Sequence, residues 1–383
     1  MRILVAHNRY QHRGGEDAVV EAEIELLRSK GHEVVTYFRH NDEIETISRI
    51  QLARQAIWSK RTYREAANIF ADFKPEIIHA HNTLPLISPS LYWAASRAQI
   101  PVVQTLHNFR LLCPQGLLLR NGSICEDCLG KVPWRGVVHG CYRESFIQTA
   151  VVASMLTFHR KIGTWQNQVA RYIALNNFCR KKFIEGGITS DLIDIKPNFV
   201  ESPVLRTEQR EGFLFAGRLS SEKGIATLAN AARLVPEVQI RVAGTGPELE
   251  RVSILGNLNL LGNLDSKMVF DEMFRATALI LPSIWYENFP RVIVEAFACG
   301  LPVIATRLGA ITEIIEDGVT GILVEPGNAS DLATKIQWAS SNRAKMAEMG
   351  LKARKTYETL YTPDHNYERL ISIYRSVLGQ SPI

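Results

Sequence analysis

Short apolar runs alternate with longer stretches of helical periodicity along this chain, and that alternation predicts repeated β-α-β units. Arg2 to His7 reads as an apolar strand, Ala18 to Lys30 as a helix capped by Gly31, and His32 to Phe38 as the second strand. Glu76 to His79 and Val102 to Leu106 read as further buried strands, with a helix between them from about Ser88 to Ala98. Ser145 to Gln168 predicts one long helix, Arg171 to Leu175 a strand, and Asn177 opens a helix that Gly186-Gly187 ends. Ile195 to Phe199 then leads into Glu201-Ser202-Pro203, a polar stretch without periodicity, so a domain boundary is expected near 200. Beyond it the pattern restarts, with strands at 213–216, 238–243, 258–261, 278–282, 302–306 and 321–324 and helices at 225–235, 247–254 and 266–275. Pro363 precedes a last helix to about Leu378. Strands alternating with helices imply parallel sheets and an α/β fold.

Two of the predicted strand-to-helix loops carry unusual chemistry. Glu287 to Glu295 reads Glu-Asn-Phe-Pro-Arg-Val-Ile-Val-Glu, with Pro290 suited to the first helical position, where a missing N–H costs nothing. Glu287 then falls in the entering loop and Glu295 just over a turn inside the helix. Unpaired backbone N–H groups near Asn288, Phe289 and Arg291 would suit phosphate and hydroxyl groups. In the other loop the apolar strand 213–216 runs into Gly217-Arg218-Leu219-Ser220-Ser221-Glu222-Lys223-Gly224. Two cations flanking such a loop are what a diphosphate requires. In the first half, the glycine pair Gly14-Gly15 lacks dinucleotide-fingerprint spacing but lets a backbone approach a ligand closely. The strands near 79 and 106 run into His79, His81 and Asn82, and into His107 and Asn108, at ends where open sheets bind ligands.

Composition narrows the class. A hydrophobic fraction of 46% and a charged fraction of 22% are those of a soluble globular chain, and 383 residues suffice for two domains with their own cores. No apolar run reaches the roughly 18 residues of a membrane span, and the opening Met1 to Ala6 is too short for a signal peptide, so a cytoplasmic protein is expected. Charge is uneven. Residues 1–200 hold 25 Lys/Arg against 18 Asp/Glu, leaving 19 against 21 in the rest, and Lys131 to Lys182 contains nine cations and one acid. That segment is either an evenly solvated surface or one drawn to anionic lipid headgroups or an anionic acceptor, and the headgroups would place the protein at the inner face of the membrane. No recognition motif accompanies it, which speaks against nucleic acid. Cys113, Cys125, Cys128 and Cys141 crowd 29 residues around one C-x2-C step. Four thiolates at these spacings suit structural zinc, with unpaired buried thiols as the alternative reading.

The E-x7-E run, the Gly-Arg-Leu-x3-Lys-Gly loop and Val242-Ala243-Gly244-x-Gly246-Pro247 together resemble the retaining glycosyltransferases of family four, over nearly the whole chain. The resemblance implies a GT-B fold, with two Rossmann-like domains facing across a cleft. Residues 1–200 would bind the acceptor, with the Cys-containing insert at 110–142. Residues 201–362 would bind the nucleotide sugar, and 363–383 would return as a helix to the first domain. It further implies that Arg218 and Lys223 neutralise the diphosphate, that Glu295 binds the ribose hydroxyls, and that Glu287 binds the donor sugar with His107 against it. The loop at Gly14, Gly15 and Glu16 would meet donor phosphates or the acceptor. Gly217, Gly244, Gly246, Leu264, Asn288, Phe289 and Pro290 would line the donor site.

No Asp-x-Asp triplet occurs, which fits a metal-independent transferase in which two cations and a helix N-terminus replace a catalytic metal. The expected activity is transfer from a nucleotide-diphosphate sugar to a lipid-linked or polysaccharide acceptor with retained configuration. A sugar-nucleotide epimerase and a non-catalytic partner of another transferase are the alternatives.

Overall fold

The computed structural model describes residues 1–206 and 208–380. The chain divides into two compact units, one of residues 1–118, 125–197 and 366 onward, the other of 119–124 and 198–365. The last residues of the expected 363–383 segment, 381–383, lie outside the described residues. Residues 119–124, expected within the first domain, cluster with the second unit. They form a two-stranded hairpin, Leu119–Arg120 with Ser123–Ile124, that belongs to neither large sheet.

The first unit is built on a six-stranded parallel sheet: β1 Arg2–Arg9, β2 Glu33–His40, β3 Ile77–Ala80, β4 Val102–Thr105, β5 Arg171–Ala174 and β6 Ile193–Ile195. Its order is β2-β1-β3-β4-β5-β6. Helices cover parallel sheets on both faces, so the inner strands begin apolar, with Ile77, Ile78, Val102 and Val103 all buried, and turn polar toward their carboxyl ends at His7, His79 and Gln104. On one face Ile3, Val5, Ile77, Val103 and Ile173 meet Val20, Ile24 and Leu27 of helix Gly15–Ser29. Leu370, Ile371 and Tyr374 of helix Pro363–Val377 complete the same cluster. The last helix is therefore part of the first unit's core.

The second unit repeats the plan with β7 Phe213–Ala216, β8 Ile240–Ala243, β9 Leu258–Gly262, β10 Ala278–Leu281, β11 Val303–Thr306 and β12 Gly321–Val324. Its order, β9-β8-β7-β10-β11-β12, is that of a doubly wound nucleotide-binding sheet. Successive strand residues point to opposite faces. Leu214 and Leu279 accordingly join Ile293 and Phe297 of helix Arg291–Ala298, while Phe213, Phe215 and Ile280 join Leu228 and Ala232 of helix Ile225–Leu234.

Two sequence expectations need correction. The stretch 145–168 is two helices, Phe146–Lys161 and Thr164–Asn167, because Gly163 adopts φ 72° and breaks the first. Pro290 is the residue before helix Arg291–Ala298, with ψ 90°, and not its first turn.

Candidate functional site

In the second sheet the strand order reverses between β7 and β10, and the loops leaving the carboxyl ends of these strands hold the candidate donor residues. The loop after β7 is laced to the loop after β8. The Gly217 N–H donates to the Ala243 carbonyl at 2.9 Å, and the Leu219 N–H to that of Thr245 at 2.9 Å. A side chain at Gly244 would stand 1.9 Å from the Gly217 carbonyl oxygen, and one at Gly246 2.3 Å from that of Leu219. Both glycines are needed because two backbones touch there. On the other side, the Ile284 N–H donates to the Glu222 carbonyl at 3.0 Å and ties the loop to the end of β10.

These ties bring the two motifs together. The Lys223 ammonium lies 2.7 Å from Glu287 Oε1, and the Ser283 hydroxyl donates to the same oxygen at 2.7 Å. Glu287 is 5% exposed, so its charge is held by these partners rather than by water. Lys223 also sits 5.4 Å from the centre of the Trp285 ring. Arg218, in the same loop, is exposed. Glu295 follows one turn into its helix, with Arg291 Nε 3.1 Å from its Oε1. Burial pushes the Glu295 carboxyl up, with Arg291 opposing. Asn288 is buried, and Phe289 packs edge-on against Tyr361, so its side chain serves the core. Leu264 packs against the same core.

In the first sheet the order reverses between β1 and β3. Gly14 caps the helix that Gly15 opens, and its N–H donates to Asp17 Oδ2 at 2.8 Å. Burial works against the Asp17 carboxylate. His7 Nε2 at 2.9 Å, with the N–H groups of Gly14 and Tyr10, outweighs it and holds the group below its usual range. The Tyr10 hydroxyl donates to Glu16 Oε2 at 2.9 Å. Glu16, His81, His107, Asn108 and Arg110 line one small cavity, so Glu16 and His107 are brought together.

Behind that cavity runs a buried polar chain. His107 Nε2 lies 2.8 Å from His81 Nδ1, and His81 Nε2 lies 3.4 Å from Glu23 Oε1. Glu23 also pairs with Lys196 at 2.7 Å and with His79 at 2.9 Å, and the Tyr374 hydroxyl is 2.7 Å from His79 Nδ1. Burial, with His79 adding to it, pushes His81 down to about 3. Burial and the neighbouring His81 push His107 well below its ordinary range too. Both rings are neutral at pH 7. Glu23, His79 and His81 have ligand atoms within 4.8 Å of one another, but the Lys196 ammonium already supplies the positive charge that such a cluster would take from a metal.

Asp17, Glu23, Lys196 and Tyr374 escaped the sequence reading. For Glu23 a signal existed, since it occupies the buried stripe of Val19, Val20, Ile24 and Leu27 on its helix.

In the insert, Cys113 and Cys128 are buried, and Cys125 and Cys141 half-buried. Burial pushes the Cys128 thiol up to about 11, and the nearby thiols of Cys113, Cys141 and Cys125 add to the rise. Among the described residues no helix is long and apolar enough to cross a membrane.

Two doubly wound sheets, with candidate binding loops at the switch point of each, define a GT-B protein. Structural comparison agrees. Anabaena HepE in complex with UDP-glucose superposes with a TM-score of 0.69 over 97% of this chain and 99% of that one, at 19% identity. The lipopolysaccharide outer core galactosyltransferase WaaB does so with a TM-score of 0.68 over 98% and 99%, at 16% identity. In sequence, residues 13–202 match Glycosyltransferase Family 4 and residues 200–356 match Glycosyl transferases group 1. The chain belongs to this glycosyltransferase family. An uncharacterized glycosyltransferase of Methanocaldococcus jannaschii is 24% identical over 378 residues, covering 93% of this chain and 94% of its own.

Proposed function

We propose that the protein is a retaining glycosyltransferase. It would move a sugar from a nucleotide-diphosphate donor to a lipid-linked or polysaccharide acceptor, without a catalytic metal. The observation that carries this reading is the Lys223–Glu287 pair at 2.7 Å, with exposed Arg218 in the same loop at the switch point of the second sheet. A diphosphate arriving there meets two cations, one of which is already positioned by a carboxylate. Glu295 receives the ribose hydroxyls, and Glu287 a hydroxyl of the sugar.

In the reaction the bond from the anomeric carbon to the leaving phosphate oxygen breaks, and a bond to the acceptor oxygen forms on the same face. The acceptor's proton passes to the departing phosphate. Arg218 and Lys223 stabilise the negative charge that grows on that phosphate, which is the step where fixed charges act most strongly. His107 is neutral, so it offers the substrate a hydrogen bond and no charge. The UDP-glucose bound by HepE supports a nucleotide-sugar donor here.

A lipid-linked acceptor is supported by the first unit's surface. Trp134 and Val138 on one helix and Phe146 and Ile147 on the next are all more than half exposed, and the two helices pack together. Lys131, Arg135 and Arg143 lie in the same stretch of chain. Apolar groups among cations suit the interface of an anionic bilayer.

The test is release of nucleoside diphosphate from a panel of nucleotide sugars, with and without chelator, in wild type and Arg218→Ala. Chelator-insensitive release from one donor, lost in Arg218→Ala, is the expected result. Absence of release or binding for every donor would sink the proposal.

A further inference from the structure

We propose that Cys113, Cys125, Cys128 and Cys141 hold one structural zinc ion that fastens the insert of the first unit. Gly136 is where their segments converge. A Cβ built on it would stand 3.1 Å from the ring of Pro114, the neighbour of Cys113, and 3.6 Å from Cys128 Sγ. The Cys141 N–H donates to the Gly136 carbonyl at 3.0 Å. Cys125 stands three residues before Cys128, at the base of the hairpin, where its N–H donates to the Leu118 carbonyl at 2.8 Å. The turns at the cysteines are themselves closed. The Gly116 N–H donates to the Cys113 carbonyl at 2.9 Å, and the Lys131 N–H to that of Cys128 at 3.2 Å. A standard zinc ribbon has two C-x2-C pairs, and this chain has one such pair here. The fold supplies the missing half by bringing single cysteines from two other segments.

The insert has little else to hold it. From Arg120 to Gln148 the only buried residues are Cys128, Pro133, Gly136 and Gly140, while Val132, Trp134 and Val138 face outward. A segment of that length whose buried side chains are one proline and one cysteine gains little from burial to offset its ordering entropy. Small loop-rich elements of this kind are fastened by disulfides or by metal, and four thiolates in tetrahedral array are a closed structural zinc set.

The centre would reach the candidate site through one side chain. Arg110, which lines the cavity with Glu16 and His107, donates to the carbonyl oxygen of Pro114 beside Cys113. Zinc loss would free Cys113 and loosen Arg110. The zinc proposal itself does not depend on the transferase reading.

The experiment is zinc analysis of the full chain purified without chelator, with cobalt exchange as a second readout. About one zinc per chain is expected, together with the absorption of tetrahedral cobalt thiolate after exchange. Cys113→Ser and Cys128→Ser should lose the metal, while Cys179→Ser and Cys299→Ser, outside the insert, should keep it. Should the first two variants fail to fold, thiol modification of the wild type should release its zinc in step with loss of four thiols. A metal-free protein, zinc retained when those thiols are blocked, or disulfides linking these cysteines would each overturn the proposal.

Discussion

The two units use one architectural device for opposite electrostatic ends. Both sheets reverse strand order at a switch point, and both place polar residues on the loops there. In the second unit those residues are ionic, with Arg218 exposed and Lys223 half-buried. In the first unit the facing rings of His81 and His107 are kept neutral by burial, and the charges of Glu23 and Lys196 cancel behind them. A switch point is thus only a place. The difference lies in where the charges stand: exposed or half-buried on the loops of the second unit, and paired behind neutral rings in the first.

The largest blow to this contrast should come from Lys196→Ala. Removing one partner of a fully buried ion pair typically costs about 3–5 kcal/mol, because Glu23 is left charged and unsolvated. The melting temperature should fall by roughly 10 °C. An unchanged melting curve would mean that the pair does not hold the first unit together. Next, Arg218→Ala should lower turnover with donor by about 10²–10³-fold while leaving the fold intact, the usual cost of losing one group that stabilises developing charge. Equal loss in a neutral substitution within the His81–His107 cavity would erase the proposed division of labour. Glu295→Gln should be milder. A charged hydrogen bond becomes a neutral one, and about a tenfold rise in donor KM with near-normal kcat is expected from kinetics over a donor series.

The smallest effect per step concerns pH. His81 is depressed to about 3 in the folded protein, whereas an unfolded histidine titrates near about 6.5. Between those values the unfolded chain binds a proton that the folded one does not. The contribution of His81 is therefore full above about 6.5 and falls by about 1.4 kcal/mol for each pH unit below it, with His107 acting in the same direction. Urea melts at pH 7, 6 and 5 would check this, and a flat midpoint would show that the ring can protonate in place.

How far the chain could be read in advance follows the same division. The parallel strands were legible because most carry short runs of Val, Ile, Leu or Phe, such as Ile77-Ile78, Val102-Val103 and Leu279-Ile280-Leu281, that are buried in the sheet. Helix Arg343–Leu360 was not, because its buried face, Met346, Met349, Gly350, Ala353 and Tyr357, has helical spacing but includes a glycine and an alanine in place of large aliphatic residues. The ionic loops of the second unit were visible as local motifs, since Arg218 and Lys223 lie five residues apart and Glu287 and Glu295 eight. The network of the first unit was invisible, because Glu23 and Lys196 are 173 positions apart and neither is unusual in its own neighbourhood. Lys196 even lay in a stretch that reads as a polar linker.

The placement of helix Pro363–Val377 in the first unit's core sets an order on synthesis. Residues 198–365 have all been made before Leu370, Ile371 and Tyr374 become available to cover Ile3, Val5 and Ile77. The unit begun first is therefore the one whose sequence is completed last, and until then the part of its sheet face that helix Gly15–Ser29 does not cover lacks its partner.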